Sequence, residues 1–326
     1  MKLEGKNCIV TGAAGFIGSH LCEILLQHDA SVIGIDCLTD YYEPKIKRSN
    51  LSGCIDDDDF TFREENVVNV SWSSLLEDID VVFHQSAQAG VRASWGTEFD
   101  EYIHQNIRST QVLLEALKTN PADVPIVLAS SSSVYGVPDQ MPMVETMRTE
   151  PHSPYGVTKL AAENLGMLYH NNFDIPVTSL RYFTVYGPRQ RPDMAFTRFL
   201  SWIYDDRPIT VYGDGTQSRD FTFVLDACRA NLAVVEEAAW GRIFNVGGGQ
   251  NATLNEMIDT MEQVAGKNVT RKQEPPQKGD VPHTSADTNR IEQEVGWNAR
   301  IDLKEGLERQ WEWIVNRPDV RETVLR

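Results

Sequence analysis

The sequence predicts an α/β protein with a doubly wound parallel sheet and a smaller α/β lobe toward the C-terminus. Three observations carry this. Short runs rich in Val and Ile alternate with longer helical patterns through the first half of the chain, and such alternation implies a parallel sheet covered by helices on both faces. The first apolar run feeds directly into a glycine-rich turn that opens a helix. Beyond about residue 180 the alternation gives way to short strands among Gly, Pro and charged residues.

In chain order, NCIVT (7–11) reads as the first strand and is followed by a helix from about Gly15. SVIGI (31–35), FTFREENVV (60–68) and DVVFH (80–84) supply the next three strands, and a helix begins at about Glu98. PIVLAS (125–130) is the fifth strand, the segment through KLAAENLGMLY is helical, and PVTSLRYF (176–183) continues the sheet. PITVYGD (208–214) and RIFNVGG (242–248) read as short strands of the second lobe. The expected division is a Rossmann-like nucleotide-binding domain over residues 1–180 and a mainly substrate-binding lobe over 181–326, with a soft boundary that the chain can cross. The acidic run Asp56 to Asp59 reads as a solvated loop tip.

The 326 residues, 41% of them hydrophobic, suffice for one large core or two smaller ones. A net charge of −17 argues against nucleic acid or an anionic membrane as partner, because those are met with basic surface. The excess of acid leaves halophilic and mesophilic sources both open. Five cysteines, Cys8, Cys22, Cys37, Cys54 and Cys228, form no CxxC pair and are odd in number, so reduced thiols in a cytoplasmic protein are expected, and no metal site. No apolar run approaches the roughly 18 residues of a membrane span.

TGAAGFIGSHL follows the first strand and places Gly12, Gly15, Phe16, Ile17 and Gly18 at the mouth of a helix. Small residues let the backbone approach a pyrophosphate, and the helix N-terminus receives its charge. The second strand ends in Asp36, eighteen residues after Gly18. A carboxylate there accepts from both ribose hydroxyls and repels a 2′-phosphate, which favours NAD over NADP. Asn66 and Val67, Ala87 at the end of the segment from His84, and Asn106 in the following helix are further candidates for cofactor contact. His84 itself reads as a structural histidine.

YGVTK puts Tyr155 and Lys159 four residues apart, on one face of a helix. A lysine ammonium near a phenol favours the phenolate, which would make the tyrosine a usable base. SSSSVYG (130–136) follows the fifth strand about twenty-five residues earlier, at the sheet edge where the cofactor is expected. A hydroxyl there can hold a substrate alcohol against the tyrosine.

Taken in order, TGxxGxxG, the Asp at the end of the second strand, a Ser before VYG, YxxxK and RDF (219–221) resemble the extended short-chain dehydrogenase/reductase family of nucleotide-sugar epimerases and dehydratases. The resemblance covers nearly the whole chain. It implies Ser131, Tyr155 and Lys159 as the catalytic set, tightly held NAD that is regenerated each turnover, a UDP-sugar substrate and a homodimer built on helices near 99–118 and 154–171. Dehydratases of the family carry an acidic pair after the catalytic threonine, and the uronate decarboxylases a glutamate two residues before the tyrosine of VYG. Here those positions are Ser132 and Ser133, which cannot serve as acids. Cys37, Asn66-Val67 and His84-Gln85-Ser86-Ala87 depart from the family pattern on the cofactor side.

DYYEPKIKR, AQAGVR (87–92), FTVYGPRQRPDMA (183–195) and QKGDVPHTSAD (277–287) are similar to one subgroup, the UDP-glucuronate 4-epimerases. Thr184 and Gln277 stand where UDP-glucose 4-epimerases typically have Asn and Arg. The expected activity is therefore interconversion of UDP-glucuronate and UDP-galacturonate through a transient 4-keto sugar, with UDP-glucose 4-epimerisation as the alternative. The resemblance gives Ser132, Ser133, Thr184 and Arg191 to the sugar, Arg219 to a phosphate and Asp280 to the uridine ribose.

Overall fold

The computed structural model describes residues 1–120, 122–275 and 281–325. Its N-terminal half carries strands β1 (Asn7–Thr11), β2 (Ser31–Asp36), β3 (Phe60–Glu64), β4 (Val81–His84), β5 (Ile126–Ser131) and β6 (Val177–Tyr182). Between them lie helices α1 (Phe16–Gln27), α2 (Pro44–Asn50), α3 (Trp72–Leu75), α4 (Phe99–Tyr102), α5 (Ser109–Thr119) and α6 (Pro154–Phe173). With an edge strand, Arg242–Val246, they form a seven-stranded parallel sheet in the order edge–β6–β5–β4–β1–β2–β3.

Both faces of the sheet are covered, and neighbouring residues of one strand serve opposite cores. Val10, Phe83, Val127 and Leu180 pack into one cluster, while Ile9, Val82, Ile126 and Val177 pack into the other. This two-sided burial is why the strands read as continuous apolar runs. Strand order reverses between β1 and β4, and in open parallel sheets such a switch point leaves a crevice at the carboxyl ends of the strands.

Helix α6 is the element that matters most to the site. Ser153 caps it, its hydroxyl accepting from Gly156 N–H at 3.1 Å, and Pro154 occupies the first turn. Gly156 is required for close approach: a Cβ there would stand 2.6 Å from the Ser133 carbonyl oxygen. The helix can thus lie directly against the end of β5.

Three sequence expectations are adjusted. The third strand stops at Glu64 instead of running to residue 68, because the Asn66 side chain accepts from Val68 N–H at 3.2 Å and folds Val67–Asn69 into a 3-10 turn. The helix expected from about Glu98 is a 3-10 turn, α4, a π-turn at Ile103–Arg108 and then α5. Residues 242–246, read as part of the second lobe, return to the main sheet beside β6. The rest of the C-terminal half holds small strand pairs, Ile209–Tyr212 with Arg271–Glu274 and Ser218–Asp220 with Asn251–Thr253. Asp56 to Asp59 form an exposed turn.

Candidate active site

One cleft opens at the carboxyl ends of the strands and joins the glycine-rich turn to the serine run. Gly12, Gly15, Phe16, Ile17 and Gly18 line one end of it. Helix α1 starts at Gly15 with neither a capping side chain nor an acidic residue in its first turn. Its leading N–H groups are therefore suited to an anion, which fits the pyrophosphate of a dinucleotide. Gly18 keeps the turn tight, since a Cβ there would fall 2.1 Å from the Gly12 carbonyl oxygen. Asp36 lines the same end and is fixed by N–H groups of Leu38, at 2.8 Å, and Ala14, at 3.1 Å. Burial raises its carboxyl, against those hydrogen bonds and nearby Lys47.

Ser131, Ser132, Ser133, Tyr155, Lys159, Thr184 and Arg191 line the other end, together with Ala87. Ser131 is the last residue of β5, and its hydroxyl accepts from Ser133 N–H at 3.1 Å, which turns the chain across the mouth of the cleft. Burial raises the Tyr155 phenol; the Ser131 hydrogen bond and the charge of Arg191 work in the opposite direction. Lys159 is buried and is itself pushed down to about 8 by burial, opposed by Glu163. Arg191 is held bidentately by Asp193, with both contacts at 2.9 Å, and sits 5.6 Å from the centre of the Tyr41 ring.

Not every candidate reaches the cleft. Asn66 and Val67 are absent from its lining: Val67 is buried, and its carbonyl accepts from the Trp72 indole at 3.0 Å. Asn106 braces the wall from behind, accepting from Gln88 N–H at 2.7 Å and donating to Thr158 Oγ1 at 2.9 Å. Arg219 is likewise outside the lining, and its Nη1 donates to the Ser218 and Pro282 carbonyls at 2.8 and 3.0 Å. Asp280 and Gln277 lie outside the described residues. His84 is buried between Thr11 Oγ1 and Thr110 Oγ1, at 2.8 and 3.1 Å, and burial lowers it to about 3. It is a structural histidine, as the sequence suggested.

Sequence reasoning missed several lining residues. Thr39 precedes, and Tyr41, Tyr42 and Lys47 belong to, the DYYEPKIKR segment, which the sequence marked by resemblance without assigning any of its residues to the site. The Lys47 ammonium turns inward to Thr39, reaching its carbonyl at 2.7 Å and its hydroxyl at 2.8 Å. Gln85 and Tyr182 also line the cleft, joined to each other at 3.2 Å and both to Asn231. No local signal marks Tyr182, because its partners are far away in sequence, whereas Gln85 lies in the segment from His84 already placed on the cofactor side.

Known proteins share this arrangement. A model of the NAD dependent epimerase/dehydratase family matches residues 8–247. The chain is 42% identical over 304 residues to a Bacillus subtilis protein called uncharacterized UDP-glucose epimerase YtcB, covering 92% of this chain and 95% of that one. It is 38% identical to a UDP-glucuronate 4-epimerase of Thermodesulfobacterium geofontis, over 94% of this chain and 95% of the relative. Its fold superposes on the crystal structure of UDP-glucuronic acid 4-epimerase from Bacillus cereus, in complex with UDP-glucuronic acid and NAD, with a TM-score of 0.91 and 41% identity. That match covers 95% of this chain and 99% of the other. The cleft described above is thus built on a shared framework, and the chain belongs to the NAD dependent epimerase/dehydratase family.

Proposed function

We propose that the protein is an NAD-dependent isomerase that interconverts UDP-glucuronate and UDP-galacturonate at carbon 4. The observation that carries this reading is the continuity of the cleft. A turn fit for NAD, the set Ser131, Tyr155 and Lys159, and the short hydroxyls of Ser132, Ser133 and Thr184 beside Arg191 line a single wall-to-wall site.

Gly12, Gly15, Phe16, Ile17, Gly18, Asp36 and Ala87 would hold NAD, and NAD⁺ when bound supplies the hydride acceptor for carbon 4. Tyr155 takes the proton of the sugar 4-hydroxyl as that carbon is oxidised, with Ser131 aligning the hydroxyl. Lys159 holds the ribose near the reacting carbon and adds positive charge. After the 4-keto sugar turns over, the opposite face of carbon 4 would meet the returning hydride while Tyr155 gives the proton back to the 4-oxygen, so cofactor and base would both be restored. Arg219 and Asp280 are proposed to hold the nucleotide from outside the catalytic end, with Asn66 and Val67 near the adenine and Asn106 acting through Gln88.

A uronate substrate makes the intermediate a β-keto acid, which loses CO₂ when the carboxylate bond aligns with the carbonyl π system. Hydroxyls of Ser132, Ser133 and Thr184, with Arg191, would fix the carboxylate away from that alignment. A second reading, UDP-glucose 4-epimerisation, draws support from the Asp193 carboxylate that already neutralises Arg191.

A homodimer is proposed on the faces of α4–α5 and α6. Val157 and Leu168, three helical turns apart on α6, are 48% and 53% exposed, and Ile103 and Phe173 add to the apolar surface. Five unpaired thiols and an acidic surface suit a cytoplasmic enzyme. No helix among the described residues is long and apolar enough to cross a membrane.

A proton NMR time course with UDP-glucuronate and no added NAD tests the activity, followed by the same run with UDP-glucose. A UDP-galacturonate anomeric signal growing to an equilibrium mixture is expected. Conversion of UDP-glucose alone would overturn the carboxylate pocket, and accumulation of a UDP-pentose would make the protein a decarboxylase.

A further inference from the structure

Directly behind the catalytic residues lies a buried ion pair that the mechanism above leaves idle. Glu163 stands one helical turn beyond Lys159 on the buried face of α6. Its carboxylate receives the Arg181 guanidinium through two contacts, Nη2 to Oε1 at 2.6 Å and Nε to Oε2 at 2.9 Å. The two side chains are only 4% and 1% exposed for Arg181 and Glu163. The Ser130 hydroxyl donates to Glu163 Oε2 at 2.7 Å, so the same carboxylate grips β5 at the residue before Ser131.

Arg181 is fixed in turn. Its Nη1 donates to the Glu145 carbonyl at 3.1 Å, and its guanidinium lies 4.7 Å from the centre of the Tyr135 ring. The Tyr135 hydroxyl donates to Asn245 Oδ1 at 2.6 Å. Helix α6, β5 and β6 therefore converge on one carboxylate, and the edge strand braces Arg181 through Tyr135. Stability is a weak reason for such a pair, since desolvation of two charges offsets their attraction and apolar residues of similar volume often do as well. Its location offers a stronger one.

We propose that Glu163 and Arg181 form a positioning pair for the active site, locking Ser131 in register with Tyr155 and placing a counter-charge behind Lys159. The proposal rests on Ser131, Tyr155 and Lys159 being the catalytic set. Burial depresses the Lys159 ammonium, and Glu163 is the charge that opposes this. Of the other titratable groups, Tyr155 on its own helix and Tyr182 on β6 line the same cleft as Lys159, His84 on β4 faces its charge, and Arg181 on β6 binds Glu163 and stands over Tyr135. His84 is kept neutral by burial and by Lys159, so it adds no charge. On the remaining elements packed against α6, Asp100, Glu101, His104 and Arg108 are exposed, and Glu115 binds Tyr169 near the far end of the helix.

The test is the pH dependence of kcat/KM, measured with the UDP-sugar the enzyme turns over, for wild type, E163Q, E163D and E163Q/R181M. Loss of the Glu163 charge moves the alkaline limb of E163Q about one pH unit lower, the scale of one nearby charge, with kcat reduced about tenfold. E163D retains the charge and leaves the limb in place, but its shorter carboxylate cannot span Ser130 and Arg181, so kcat alone falls. Should E163Q fail to fold, the doubly neutral variant leaves no unpaired charge in the core; loss of Arg181 offsets part of the limb shift there, so its readout is the fall in kcat. A folded double variant with wild-type kcat, or a folded E163Q with the wild-type limb, overturns the proposal. K159M serves as control: full activity there would instead overturn the assignment of the catalytic set on which the proposal rests.

Discussion

Ser132, Ser133 and Thr184 carry hydroxyls of the same chemistry as Ser131, yet the cleft gives them different work. Ser131 ends the strand and is hydrogen-bonded to Tyr155, whereas the other three line the pocket. Replacing them together by Ala should leave oxidation at carbon 4 largely intact and raise the share of UDP-pentose product. Product ratios by NMR or anion-exchange chromatography check this, and an unchanged ratio would remove the carboxylate role. Two buried histidines give a second prediction at this scale. His20 and His84 are each lowered from 6.5 to about 3 by burial. Above pH 6.5 both folded and unfolded chains hold them neutral. As pH falls below 6.5 the unfolded state takes up the protons first, so stability is lost toward pH 3 at ~1.4 kcal/mol per pH unit for each histidine. H84Q, which can still bridge Thr11 and Thr110, should lose less stability than wild type between pH 6.5 and 4.5 in urea unfolding.

At the scale of elements, two junctions place the chemistry. The turn between β1 and α1 depends on Gly18, where a Cβ would overlap the Gly12 carbonyl. G18A must therefore push α1 away from the turn, at a cost of roughly 1–3 kcal/mol for forced overlap. Purified G18A is expected to carry at least about tenfold less NAD by absorbance and extraction, a loss of ~1.4 kcal/mol in binding. Full retention of cofactor would show that the turn is not its cradle. The second junction sets α6 against β5 through Gly156, bringing the serine run and the YGVTK segment within reach of one substrate. Both junctions were legible as motifs. The end of β3 was not, because the Asn66 side chain competes for the backbone that an apolar run would otherwise extend.

For the whole molecule, α6 carries exposed apolar side chains, Val157, Leu168 and Phe173, on which a subunit contact is proposed. Leu168 and Val157 are exposed well beyond what a buried core face allows. The double change V157E/L168E should shift the protein from dimer to monomer in light scattering, with little effect on its circular dichroism. An elution unchanged from wild type would place the subunit contact elsewhere. The Lys159 value gives activity its own pH sense across the molecule. Because the folded enzyme loses that proton near pH 8, turnover should decline as pH rises through about 8, well below the ordinary lysine value of 10.5.

The sequence by itself determined most of the sheet and the dinucleotide turn, because each is written locally, while its resemblance to a known family singled out the serine, tyrosine and lysine. Apolar runs, glycine spacing and a four-residue helical interval are all short-range signals. Only the tertiary structure decided which candidates line the cleft, as with Asn106, which reaches it through Gln88. Only it showed Lys47 turned inward and Arg191 clasped by Asp193. It also brought Glu163, Ser130 and Arg181 to a single buried point, from residues up to 51 positions apart. The physical reason is that burial and charge depend on distances across the sheet. Those distances are fixed when α6 packs on β5 and the edge strand closes beside β6, and no local pattern in the chain records them.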